Sequence, residues 1–185
     1  MIRFFDIIIS ILVLFFFSPL LIIISILILL IDGRPLTFKQ SRVGYNGKKF
    51  IILKFRTMNN FISKNKVSKL TTLGKILRRS SLDEFPQFIN VLKKDMSIVG
   101  PRPLPYFIEK KIKKFIKIKR RKILPGITGL SQINYTGRNR KLANKIMLDI
   151  QFVDNYTLSN YFKILLKTPY VLIIRLLKNK SSIIN

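Results

Sequence analysis

The chain has 185 residues, carries 35 Lys and Arg against 8 Asp and Glu for a net charge of +27, and contains no Cys and no His, yet 48% of it is hydrophobic. Thiol nucleophiles, imidazole bases, disulfides and Cys/His zinc sites are therefore excluded. Any catalysis falls to carboxylates, hydroxyls, Lys, Arg, Tyr, backbone amides or a hard cation bound through oxygen. The acids are Asp6, Asp32, Asp83, Glu84, Asp95, Glu109, Asp149 and Asp154, and among so few the adjacent pair Asp83-Glu84 stands out. The length suits one domain with a short appendage. A nucleic-acid partner accounts for the charge but not for the apolar fraction. An anionic membrane surface accounts for both, so membrane lipid rather than nucleic acid is the expected partner.

From Ile7 to Ile31 the chain is apolar apart from Ser10, Ser18, Pro19 and Ser25, with Arg3 and Asp6 on one side and Asp32 and Arg34 on the other. The run is too long for a signal-peptide core and lacks a small-residue cleavage site. About 25 residues would cross a bilayer core of ~30 Å as one helix. Pro19 removes a helical hydrogen bond near the middle of the run, and Ser18 can satisfy the freed carbonyl. The halves Ile7–Phe17 and Leu20–Ile31 are each roughly 16–18 Å long, so a bent helix that enters and leaves on one face fits as well as a kinked span. Basic residues at both ends suit the bent form. The residues alone do not separate the two.

Asp32-Gly33-Arg34-Pro35 ends the apolar run. Leu36–Ser41 and Lys48–Phe55 read as strands around Tyr45-Asn46-Gly47, a hairpin signal. Asn59–Lys69 reads as a polar loop. A short helix is expected over Thr72–Arg79 with Thr72 as N-cap, and another over Pro86–Lys94 with Pro86 in its first position. Gly100-Pro101-Arg102-Pro103-Leu104-Pro105 is a rigid loop. Tyr106–Ile123 reads as one basic helix ended by Pro125-Gly126. Leu142–Tyr156 and Tyr161–Leu177 are further helices, the last bent at Pro169. Its mixture of large aliphatics with Lys163, Lys167, Arg175 and Lys178 suits an interfacial helix whose cations reach for headgroups.

Asp83-Glu84 has two readings. Ser81-x-x-Glu84 matches a capping box, although Pro86 would then lie five residues into the helix. A helix starting at Pro86 instead leaves both carboxylates just before its N-terminus, where they can share a hard cation such as Mg2+, or one can act as a nucleophile. Spacing does not decide between them. Lys54-Phe55-Arg56-Thr57-Met58, Gly100-Pro101-Arg102-Pro103 and Gly137-Arg138-Asn139 place cations on constrained chain, so Lys54, Arg56, Arg102 and Arg138 are candidate phosphate ligands. Pro125-Gly126-Ile127-Thr128-Gly129 either offers backbone amides to a phosphate or merely ends a helix.

In order, the chain shows the Ser18-Pro19 break, Arg42-Val43-Gly44-x-x-Gly47, Lys54-Phe55-Arg56-Thr57-Met58, Leu82-Asp83-Glu84-Phe85-Pro86-Gln87-x-x-Asn90-Val91-Leu92, Asp95-Met96-Ser97-Ile98-Val99-Gly100-Pro101-Arg102-Pro103, Pro125-Gly126-Ile127-Thr128-Gly129-Leu130-Ser131-Gln132 and Gly137-Arg138-Asn139. From Met1 to about Leu166 this resembles the bacterial sugar transferases, the monotopic phosphoglycosyl transferases. The resemblance implies transfer of a phosphosugar from a UDP-sugar to undecaprenyl phosphate with release of UMP, at the cytoplasmic face of the bacterial inner membrane. It further implies Asp83 as the nucleophile that forms a covalent intermediate, Glu84 as its partner at Mg2+, Arg78 positioning the pair, and Arg102 and Arg138 near substrate phosphates. The positive surroundings are expected to keep Asp83 ionised.

The implied architecture is α+β and mostly helical. Residues 1–32 form a re-entrant membrane helix broken at Ser18-Pro19. Residues 33–185 form a cytoplasmic, membrane-associated catalytic domain, with a small hairpin and interfacial amphipathic helices around a carboxylate/arginine site. Asn134-Tyr135-Thr136 before Gly137-Arg138 departs from the shorter Gln-Val-Asn-Gly-Arg of many relatives. No further membrane segment precedes Met1, as in the small single-domain form, and a homodimer is compatible with it. Asn59–Lys69, Tyr106–Ile123 and 134–140 are the expected determinants of sugar choice. The competing reading is a non-enzymatic, membrane-anchored basic protein that binds anionic lipid or nucleic acid.

Overall fold

The computed structural model describes residues 1–59, 69–134 and 141–181. Helices α1 (Ile2–Phe16) and α2 (Ser18–Leu27) meet at Phe17, and α2 runs on through a π-helical turn over Ile28–Asp32. No single helix among the described residues is long and apolar enough to cross a membrane, but Ile2–Phe16 and Ser18–Asp32 form an apolar pair bent by 60°. The bend has a local cause. Phe15 O would be the acceptor for an N–H at position 19, which proline lacks, and Ser18 Oγ donates to it instead at 2.7 Å. Phe4, Ile11, Phe15, Phe16, Ile22, Ile23, Leu30 and Ile31 all remain largely exposed, an uncovered apolar surface far larger than a water-facing helix pair normally tolerates.

Strands β1 (Thr37–Val43) and β2 (Lys49–Phe55) pair antiparallel around the turn at Tyr45–Gly47, where Asn46 and Gly47 take positive φ. Along β2, Phe50, Ile52 and Phe55 face inward and Ile51 outward. Its free edge is completed by a side chain. Asn90 Oδ1 accepts from Leu53 N at 3.0 Å and Asn90 Nδ2 donates to Ile51 O at 2.8 Å. Asn90 thus acts as a short surrogate strand and joins the hairpin to the helix that follows the acid pair.

Helix α3 (Thr72–Ser80) is capped by Thr71, not Thr72, whose hydroxyl accepts from Gly74 N at 2.8 Å. A 3-10 turn, Leu82–Glu84, separates α3 from α4 (Gln87–Leu92), with Pro86 at the N-cap. Two three-residue strands, β3 (Ser97–Val99) and β4 (Gly126–Thr128), pair in parallel. Between them the expected single basic helix is two, α5 (Tyr106–Lys110) and α6 (Lys114–Arg120). After β4 come α7 (Leu130–Asn134), α8 (Leu142–Asp154) and α9 (Leu158–Ser181), the last continuing through Pro169.

One core gathers Phe50, Ile52, Val91, Met96, Ile98, Val99, Ile133, Phe152, Tyr161, Ile164 and Val171, so β2, α4, β3, α7, α8 and α9 share it. A second, of Ile24, Ile28, Phe55 and Leu77, fastens the end of the bent pair to β2 and α3. Each such side chain contributes on the order of 1.5–3 kcal/mol of burial.

Gly74 lets α3 approach β2, because a Cβ there would lie 2.1 Å from Thr57 O. Gly74→Ala must push α3 away from the chain segment carrying Thr57. We expect a loss of about 2–4 kcal/mol in unfolding free energy by denaturant titration, a cost typical of overpacking against immovable backbone.

Candidate active site

Asp83 and Glu84 sit on the 3-10 turn between α3 and α4. The turn is entered through Ser81, a non-glycine residue at φ 59, a strained geometry held by its neighbours. Ser81 makes no side-chain cap bond, so the capping box suggested by Ser81-x-x-Glu84 does not form. Both acids line a cleft of about 1450 Å³ whose other walls come from β1, β2, α3, the 100–105 loop, α9 and the α1–α2 junction.

The two carboxylates differ sharply. Glu84 Oε1 is ion-paired to Lys54 Nζ and accepts from Arg102 at 3.2 Å. Burial alone would raise its pKa, but the charges and hydrogen bonds of Arg102 and Lys54 outweigh it and bring the group down to about 2. Asp83 is only 7% exposed and makes no hydrogen bond to the described residues. Burial, and then the charge of Glu84, push it up to about 6 against the opposing pull of Lys54, Arg78 and Arg102. The surrounding cations offset this only in part, because Lys54 and Arg102 make their closest contacts with Glu84. At neutral pH it is still largely ionised.

Arg78 projects from α3, its Nε donating to Thr57 Oγ1 at 2.8 Å, while its terminal nitrogens have no hydrogen-bond partner among the described residues. Arg102 is 46% exposed on the rigid Gly100–Pro105 loop. That loop is held from behind by residues the sequence did not single out. Arg120 donates to Arg102 O at 2.8 Å while paired, also at 2.8 Å, with the buried Asp149. Arg42 donates to Pro103 O at 3.0 Å. A Cβ on Gly126 would lie 2.0 Å from Gly100 N, so the loop and β4 also touch backbone to backbone.

Two expectations need correction. Arg56 borders the cleft, but its guanidinium is buried and donates to the carbonyls of Asp32 and Gly33. It fastens the end of the bent helix pair and is not presented to a phosphate. Pro125-Gly126-Ile127-Thr128-Gly129 does not end a helix, since α6 stops at Arg120, and its Gly126–Thr128 part is β4, where Gly126 N donates to Pro101 O and Thr128 O accepts from Gly100 N. Arg138, and the segments 60–68 and 135–140, lie outside the described residues. Ser18 and Pro19 stand at the helix break, and their neighbour Phe17 reaches the cleft, its ring 5.1 Å from that of Phe85.

Among the described residues no third acid joins Asp83 and Glu84 to form a ready-made metal cage. The donor set nevertheless fits Mg2+. Asp83 has both oxygens free of hydrogen bonds from the described residues, Glu84 Oε2 is likewise uncommitted, and Mg2+ needs only one or two carboxylates when substrate phosphates and water complete its shell. A buried carboxylate without a partner among the described residues, beside a paired one and faced by forked cations, is an arrangement that can act on an anionic phosphorus centre.

Comparison with known proteins agrees with this geometry. The family model for bacterial sugar transferases matches residues 1–175, and the chain belongs to that family. It is 40% identical over 177 residues to the uncharacterized sugar transferase EpsL of Bacillus subtilis, covering 90% of this chain and 84% of that protein. It is 35% identical over 178 residues to the UDP-glucose:undecaprenyl-phosphate glucose-1-phosphate transferase of Escherichia coli, covering 89% of this chain but only 38% of that longer protein. It is also 34% identical over 191 residues to the exopolysaccharide production protein ExoY of Sinorhizobium fredii, covering 90% of this chain and 82% of that protein.

A carboxyl raised by burial is a group whose ionisation opposes folding. Its contribution to stability is full below pH ~4 and is lost as pH rises through about 6. Asp83→Asn should therefore stabilise the protein at pH 8, by on the order of 2 kcal/mol, and make little difference at pH 4. Thermal melting of both proteins across that range measures it.

Proposed function

We propose that this protein is a membrane-bound phosphoglycosyl transferase that moves a phosphosugar from a UDP-sugar to undecaprenyl phosphate. The observation that carries the reading is Asp83, a buried carboxylate without a hydrogen-bond partner among the described residues, facing Arg78 and Arg102 across an open cleft. Family membership and the similarity to the UDP-glucose:undecaprenyl-phosphate glucose-1-phosphate transferase of Escherichia coli and the undecaprenyl-phosphate galactose phosphotransferase of Salmonella typhimurium support the substrate classes.

The reaction takes two displacements. A carboxylate oxygen of Asp83 bonds to the sugar-bearing phosphorus of the donor, the pyrophosphate P–O bond breaks, and UMP leaves with that electron pair. A phosphate oxygen of undecaprenyl phosphate then bonds to the same phosphorus, breaks the acyl-phosphate bond and returns Asp83 to its ionised form. Arg78 and Arg102 offset the repulsion between an anionic nucleophile and an anionic diphosphate, commonly the largest part of such catalysis. Glu84 fixes Lys54 and Arg102 and keeps its charge at every physiological pH. Asp83 and Glu84 would hold Mg2+, which would neutralise charge on the donor phosphates when bound. No general base is required, because the nucleophile is already an anion.

The bent α1–α2 pair, with its exposed apolar side chains, would enter and leave one face of the cytoplasmic membrane. The exposed stripe of Leu166, Tyr170, Ile173 and Leu177 on α9 would lie in the interface. Tyr106, Phe107, Phe115 and Ile118 among the lysines of α5 and α6 make a second such surface. The cleft would then open at headgroup level, where the acceptor's phosphate resides.

With undecaprenyl phosphate and Mg2+, the protein should release UMP from at least one member of a UDP-sugar panel, with a rate that falls as pH drops below about 6. Asp83→Asn should reduce it at least ~10³-fold. Full activity in that variant, or no turnover of any donor, would reject the proposal.

A further inference from the structure

The α9 wall of the cleft carries a cation that the steps given for the reaction leave unused. Along α9 the inward positions are Tyr161, Ile164, Thr168 and Val171, spaced three and four apart as one helix face requires. Leu166, Tyr170, Ile173 and Leu177 form the exposed apolar stripe. Continued by one more turn, the inward series arrives at Arg175, where a hydrophobe would be expected.

Arg175 lines the cleft together with Val13, Phe17, Leu165 and Leu172. Its Nε is shielded from solvent and has no hydrogen-bond partner among the described residues. A guanidinium set in an apolar wall is costly unless an anion pairs with it. A forked cation in a cleft also bordered by Val13 and Phe17 of the bent apolar pair is complementary to a phosphate at the end of a hydrocarbon chain.

We infer that Arg175 is the docking residue for the phosphate of the acceptor lipid, holding it in the cleft that Arg175 shares with Asp83, with the lipid chain toward Val13 and Phe17. The assignment rests on a polyprenyl-phosphate acceptor, and its test needs no donor. Equilibrium binding of the full chain in micelles is measured with undecaprenyl phosphate and with uncharged undecaprenol, with thermal melting of each variant as a check on folding. The native protein should prefer the phosphate by roughly tenfold or more, and Arg175→Gln should bring the two lipids to within about twofold. Arg175→Lys keeps the charge but loses the fork, so its preference should fall between, and it carries the test should the glutamine variant not fold. Lys167→Gln removes a charge from the exposed side of the same helix and should leave the preference at its native value.

Three results would overturn the inference: an unchanged preference in both Arg175 variants, an equal loss in Lys167→Gln, or displacement of undecaprenyl phosphate by phosphatidylglycerol at equal concentration. The first two show that Arg175 does not read the phosphate, and the third that the site takes any anionic headgroup. Absence of UMP release with lipid selectivity intact would reject the reaction and leave the docking residue standing.

Discussion

A buried carboxylate near the N-terminus holds the two halves of this protein together. Asp6 lies on the apolar helix α1 and is 1% exposed, yet it accepts from Ser97 Oγ at 3.0 Å, Ile98 N at 2.8 Å and Tyr161 OH at 2.8 Å. Those donors belong to β3 and α9, so one side chain fixes the apolar helix α1 to the strand and the helix that wall the cleft. One turn earlier Arg3 donates to the carbonyls of Val91, Leu92 and Met96 at and beyond the end of α4. At the far end of the bent pair, Arg56 grips Asp32 and Gly33, and Thr71 donates to Asp32 Oδ2 at 2.9 Å while capping α3. Three donors offset the cost of burying this side chain, whereas the same groups left unpaired would each cost about 1–3 kcal/mol. The apolar pair is therefore part of the catalytic scaffold and not an anchor attached by a tether.

From that frame follows the division of labour between the two acids. Asn90 ties β2 to α4 and so sets Lys54 against Glu84. Arg120, Asp149 and Arg42 hold the loop that brings Arg102 to the same carboxylate. Glu84 absorbs the nearest positive charge and is pulled far down, while Asp83, one residue earlier, is left buried, without a partner among the described residues, and raised to about 6. Adjacent residues of nearly identical chemistry are thus separated by several pH units through their surroundings alone. Glu84 is the fixed charge of the site, and Asp83 is the carboxylate left without a hydrogen-bond partner among the described residues.

Much of this was legible in the sequence. The hairpin around Tyr45-Asn46-Gly47, the break at Ser18-Pro19 and the conspicuous Asp83-Glu84 pair are local signals, carried by turn chemistry or by the scarcity of acids. What escaped was long-range. β3 and β4 are three residues each and pair in parallel, too short for any periodicity to show. Nothing local marks Asp149 among the eight acids, because its role depends on Arg120 from another element. Arg56 was assigned to phosphate because a cation beside Lys54 looks available until Asp32 and Gly33 fold onto it. The break at 111–113 between α5 and α6 has no Gly or Pro to announce it. Asp6 was read only as a flanking charge, since nothing local reveals that three donors converge on it.

The central claim, that Asp83 itself becomes bonded to the transferred phosphosugar, is most directly tested by mass spectrometry of the intact protein. The purified enzyme would be incubated with its UDP-sugar donor and Mg2+ in the absence of acceptor, then digested under mild acid and mapped. The account predicts a mass increase of one sugar phosphate, located on the peptide containing Asp83 and discharged by undecaprenyl phosphate. A protein that transfers the phosphosugar while never carrying it, or that carries it on another residue, would contradict the account.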